Sequence, residues 1–171
     1  MNAKELYALA ESLYGKRISL VSLWQECADN FYPERADFTV RRPLGTDFAA
    51  NLMSSYPVMC RRDLGNQFGV MLRPTARSWF HMGRRFEEQE EDNGGKRYLE
   101  YCENTERKAM YDPVSLFTRA TKEADHDFAA FGQCAISIEV ADSKDVGQHM
   151  LYRCWHLRDM VWMENEVGKI E

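Results

Sequence analysis

A change of periodicity at Gly132 constrains this chain more than any other feature. Before it, apolar residues recur at three- and four-residue intervals; after it, they alternate. In PVSLFTRATKEADHDFAAF, Val114, Phe117, Ala120, Ala124, Phe128 and Phe131 fall at near-helical spacing. Asp112 and Pro113 supply an N-cap and a first-turn proline, and Gly132 the usual C-terminal stop. CAISIEV then alternates, with Ala135, Ser137 and Glu139 on one side and Ile136, Ile138 and Val140 on the other. ADSKDVGQH reads as the turn that follows, and MLYRCW and DMVWME as two more strands. Helices first and strands afterwards predict an α+β fold, with N-terminal helices packed beside a small antiparallel sheet formed after about residue 134. Residues 1–132 are expected to be mainly helical and 133–171 mainly strands, as one region.

The helical part divides at its own punctuation. AKELYALAESLY carries Leu6, Leu9, Ala10 and Leu13 at helical spacing, and ISLVSLWQECADNFY carries Leu20, Leu23, Trp24, Cys27 and Phe31. Gly15-Lys16 is the candidate break between them, and Pro33 ends the second. DFAANLMSSY reads as a short helix capped by Asp47. VMCRRDLGNQFGVML follows, opened by Pro57 and closed by Pro74. Gly65 and Gly69, four apart inside it, each cost helix stability and predict close approach of another helix or backbone. RSWFHM reads as extended, RRFEEQEEDNGGKR as a solvated linker or helix end. KRYLEYCENTERKAMY reads as an amphipathic helix burying Tyr98, Tyr101, Cys102 and Met110.

Composition excludes several classes. At 171 residues and 44% hydrophobic, the chain has enough apolar material for a core. No apolar run reaches membrane-spanning length and MNAKELYALAESLYGKR has no signal-peptide core, so no membrane role is expected. Five cysteines (27, 60, 102, 134 and 154) with no CxxC pair argue for reduced thiols and against a zinc site. Residues 1–85 hold 12 Lys and Arg against 8 Asp and Glu, net +4; residues 86–171 hold 10 against 19, net −9. Such a split fits copies that meet through opposite charges.

Three constellations bear on chemistry. Glu123, Asp125, His126 and Asp127 crowd one helical turn, but the apolar residues claim the inner face, so a solvated acidic face is expected rather than a metal site. Cys154 and His156 share a strand face about 7 Å apart, too far for proton transfer, which predicts packing and a polar edge. Arg61, Arg62, Arg73, Arg77, Arg84 and Arg85 gather within 25 residues around Trp79 and Phe80. Arginines interleaved with aromatics suit phosphate, single-stranded nucleic acid or an acidic protein surface, with salt bridging between subunits favoured because the rest of the chain is acidic. No GxGxxG, P-loop, GxSxG or HExxH occurs, and neither a catalytic group nor a cofactor is expected.

The order of these blocks resembles the N-terminal part of bacteriophage portal proteins, the head-to-tail connector family of short-tailed phages. LWQECADNFYPERADF resembles that family's opening Trp-bearing helix. FAANLMSSYPVMCRRDLGNQFGVMLRPTARSWFHM resembles its helix, Pro step and Trp-Phe pair, here Trp79-Phe80. DPVSLFTRATKEADHDFAAFGQCAISIEV resembles its helix–glycine–strand unit, pivoting on Gly132, and LYRCWHLRDMVWMENEVGKIE the strand pair after it. The resemblance implies a structural subunit rather than an enzyme, contributing the wing-like region of a homo-oligomeric, dodecameric ring of identical subunits. Such a ring sits at a capsid vertex of the virion after assembly in host cytoplasm. Double-stranded DNA passes through it during packaging and ejection, and terminase, tail or adaptor proteins and the capsid dock onto it. The stem and clip segments of that family have no counterpart here, so this is expected to be part of a longer chain.

Two other readings compete: a stand-alone phage or bacterial interaction or scaffold module, and a small Arg-rich nucleic-acid-binding protein. The segment VWMENEVGKIE adds one more expectation. Glu164-Asn165-Glu166 and Gly168 make a polar turn, and Lys169, Ile170 and Glu171 begin a return strand. That edge is expected to be frayed or paired with something from elsewhere.

Overall fold

A computed structural model describes residues 2–50, 52–74, 77–83 and 93–170. Among the described residues five helices come first: α1 (Ala3–Lys16), α2 (Ile18–Phe31), α3 (Tyr56–Leu72), α4 (Asn93–Met110) and α5 (Phe117–Phe131). A two-stranded hairpin follows, β1 (Ala135–Ser143) and β2 (Gly147–Trp155). The α+β class and the helices-then-strands order are as expected. Gly132 (φ +69°) takes the left-handed conformation that ends α5, and Gly147 (φ +75°) lets the hairpin turn close.

The chain divides into two compact units. The first holds Met1–Gly65, His126–Ala135 and Trp155–Glu171; the second holds Asn66–Asp125 and Ile136–Cys154. The core of the first is Trp24, Ala28, Ala36, Phe38 and Leu157, with Phe131 and Trp162 against it. Phe38 and Phe131 meet edge to face at 5.1 Å. The core of the second is Met110, Phe117, Ala120 and Tyr152, flanked by Trp79, Phe80, Tyr111 and Met150. There the hairpin residues Met150 and Tyr152 pack against residues of α4 and α5.

The glycines of α3 do what their spacing requires. In the first unit, a Cβ on Gly65 would overlap the His126 imidazole, with Cε1 at 2.9 Å. In the second, a Cβ on Gly69 would stand 3.1 Å from an Asp125 carboxylate oxygen. Both are close approaches of α5 side chains.

Four expectations are corrected. DFAANLMSSY forms turns and bends over its described residues, not a helix. Asp47 Oδ1 accepts from the Ala49 N–H, 2.9 Å, so the side chain turns the chain locally; Phe48 and Met53 stay exposed and give a short helix nothing to pack against. In α4, Tyr98 and Tyr101 are exposed. The covered stripe runs instead through Leu99, Cys102, Glu103 and Met110, because Glu103 accepts hydrogen bonds from Ser78 Oγ (2.8 Å) and approaches His81 Nδ1 (3.1 Å). In α5 the acids do not form a solvated face. Asp127 continues the inner stripe of Phe117, Ala120 and Ala124 and is 1% exposed, while Phe128 turns outward at 47%.

DMVWME, finally, is not a third strand. Leu157–Asp159 is a 3-10 turn, followed by an extended stretch in which only Glu164 pairs, with Ile170. The start of the segment is engaged elsewhere: Tyr14 Oη takes the Asp159 carbonyl (3.0 Å) and the Arg17 guanidinium that of Met160, as well as those of Leu157 (2.9 Å) and Arg158 (2.6 Å) in the preceding turn. Among the described residues no helix is long and apolar enough to cross a membrane.

Candidate interaction site

The arginine cluster read from the sequence separates into three sorts. Arg61 is buried: its guanidinium lies over the Tyr32 ring at 3.8 Å, and Nε donates to the Phe31 carbonyl at 3.2 Å, with Glu34 3.8 Å away. Arg73 pairs with Asp125 in the second unit. Arg62 and Arg77 are exposed and make no ion pair among the described residues. Arg84 and Arg85 lie outside the described residues. Trp79 and Phe80 are half-buried in the second core, where Trp79 Nε1 donates to Tyr111 Oη at 3.0 Å and its ring stacks on Phe117.

Buried polar groups hold the first unit together. Arg35 grips Asp127 with two parallel bonds, Nε to Oδ1 at 2.9 Å and a terminal nitrogen to Oδ2 at 2.6 Å. Gln25 fastens the loop after α2: its Nε2 donates to the Ala36 carbonyl, and its Oε1 accepts from the Phe38 and Thr39 N–H groups, each 2.9 Å. His156 is fixed as one tautomer. Its Nδ1 accepts from the Arg158 N–H at 3.1 Å, so Nε2 carries the proton toward the Arg35 carbonyl, also 3.1 Å. Burial, the main cause, pushes its pKa below 6.5. The expectation that His156 packs and makes polar contacts rather than serving Cys154 agrees with these bonds.

A groove of about 490 Å³ opens on the first unit. Three guanidinium groups line it, Arg17, Arg41 and Arg158, with Tyr14, Val21 and Phe38 among the apolar lining and Asp159 as the acid. Arg158 donates to Asp159 (3.1 Å) and to the Asp37 carbonyl (2.8 Å). Arg41 is exposed and has no partner among the described residues. The groove was not legible beforehand, since Arg17 and Arg158 are 141 residues apart. The one local hint was the helix break beside Gly15-Lys16, where Arg17 separates α1 from α2.

In the terminal segment Glu164 and Ile170 form an antiparallel bridge across the polar turn. Asn165 decides this: its Oδ1 accepts from Val167 N (3.0 Å) and Lys169 N (2.9 Å), its N–H bonds the Lys169 carbonyl (2.8 Å), and Gly168 sits at φ +75°. Glu171 lies outside the described residues.

Ile138 and Val140 in the second unit and Val167 in the first are exposed apolar residues. Among the described residues no group of His, Cys, Asp or Glu is placed to hold a metal ion. The profile of the bacteriophage head to tail connecting protein family matches residues 3–171, and the chain belongs to that family. No curated protein matches it significantly. Its role is structural: a connector subunit of the phage virion, working in an oligomeric ring with capsid and tail partners.

Proposed function

We propose that the chain forms the wing-like region of a dodecameric portal ring at a capsid vertex, through which double-stranded DNA is packaged and ejected. Terminase docks on the ring during packaging, and the ring forms in host cytoplasm before it enters the virion. Its work is mechanical, with no catalysis of its own. The observation that carries this reading is the family match along nearly the whole chain.

Exposed Arg62 and Arg77, with Arg84 and Arg85 beyond them, are the arginines assigned to contacts between subunits. Arg61 and Arg73 are spent inside their own units, on the Tyr32 ring and on Asp125. Trp79 and Phe80 position the segment that carries Arg77. The free edge at Lys169 and Ile170, which leads in sequence to Glu171, is assigned to a neighbouring strand.

Electron micrographs of the purified protein, with native mass spectrometry, test the reading. Closed rings of twelve copies with a central hole are expected. A protein that stays monomeric at every concentration overturns it.

A further inference from the structure

The groove on the first unit carries an unmet electrostatic demand. Three guanidinium groups face one carboxylate, and that carboxylate is already bonded to Arg158. Arg17 spends its terminal nitrogens on neutral carbonyls, and its Nε is buried without a hydrogen-bond partner. Burial lowers its pKa, with Tyr14, whose ring lies 4.6 Å away, and Asp159 pulling the other way. Tyr14, Val21 and Phe38 add an apolar wall. Such a groove fits an acidic side chain followed by an apolar one, presented on a stiff backbone.

The chain presents that pair itself. At the tip of the Asn165-fastened turn, Glu166 is exposed and Val167 is 83% exposed. The turn is already fixed by four hydrogen bonds through Asn165 and Gly168, so docking it costs little ordering entropy. Groove and turn belong to the same unit, yet in the chain by itself the turn is exposed and the groove open. We infer that the Glu164–Ile170 turn of one copy seats in the Arg17, Arg41 and Arg158 groove of the next. A contact joining two different surfaces of identical chains is heterologous, the kind that closes rings. This rests on the connector reading and adds to it a specific head-to-tail joint.

The test compares self-association of the full chain by analytical ultracentrifugation across four proteins: the unchanged chain, Arg41→Glu, Glu166→Arg, and the two substitutions combined. Both positions are exposed, so urea midpoints should match and folding is controlled. Each single change should weaken self-association by about tenfold, and the combination should recover most of it. If the unchanged chain forms rings and the single variants do so equally well, the joint is overturned and the connector reading stands. If rings are intact in the single variants but they no longer attach a purified tail partner, the occupant is that partner and the joint between copies is overturned. A chain that never self-associates overturns both.

Discussion

The two units solve the problem of cohesion differently. The first is organised by buried polar groups: Gln25 fixes the loop from Ala36 to Thr39, Arg35 and Asp127 share a bidentate pair, and Arg17 and His156 read backbone carbonyls 121 to 143 residues away. The second leans more on aromatic contact, Phe117 meeting Tyr152 at 5.0 Å and Tyr111 at 5.2 Å, beside the Arg73–Asp125 pair and the Trp79–Tyr111 hydrogen bond. Buried polar networks specify geometry but are unforgiving of a lost partner. Apolar clusters tolerate shape changes and fail mainly by loss of volume. The first unit should therefore respond more to charge and pH, the second more to cavities.

The sharpest probe of that contrast is Phe117→Ala. Removing a 5%-exposed ring should cost about 4 kcal/mol in urea unfolding, and Phe117→Leu much less, because volume is what matters there. Asp127→Asn changes almost no volume, yet it should cost about 3 kcal/mol by leaving the Arg35 charge without its carboxylate. Equal tolerance of Asp127→Asn and Phe117→Leu would break the comparison.

Gly65→Ala should destabilise by about 2 kcal/mol, since the new methyl meets the His126 ring and exceeds the gain in helix propensity. Gly69→Ala, facing only a carboxylate oxygen at 3.1 Å, should come out near neutral, the two effects offsetting each other. The smallest effect is the most diagnostic. His156 in the fold has a pKa below its unfolded value of 6.5, so folding favours the neutral ring. Its contribution is fully present above pH 6.5 and is lost as pH falls below that toward the folded value, where the unfolded chain takes up the proton first. Unfolding free energy followed between about pH 7.5 and 5.5 should show this slope, and His156→Gln should flatten it.

Local rules made much of the fold legible. Pro33, Pro74 and Gly132 end helices where their backbone restrictions require. Alternation marked β1 and β2, and the glycine pair of α3 announced a close approach. Reading failed wherever a partner distant in sequence changed the local preference. Asp127 looked like a surface acid until Arg35, 92 residues away, compensated its burial. DMVWME looked like a strand until Arg17 claimed its neighbouring carbonyls. Tyr98 and Tyr101 looked like core residues, but Leu99 and Glu103 set the phase of their helix. The arginine set was legible as a set; its division into buried anchors and exposed surface was not.

The sequence by itself determined the α+β order, the hairpin and the resemblance to head-to-tail connectors, because periodicity and turn chemistry act within a few residues. Only the tertiary structure decided which charges are spent and which remain. That depends on pairs such as Arg17 with the Leu157–Met160 carbonyls, whose energy exists only once the chain has brought them within hydrogen-bond distance.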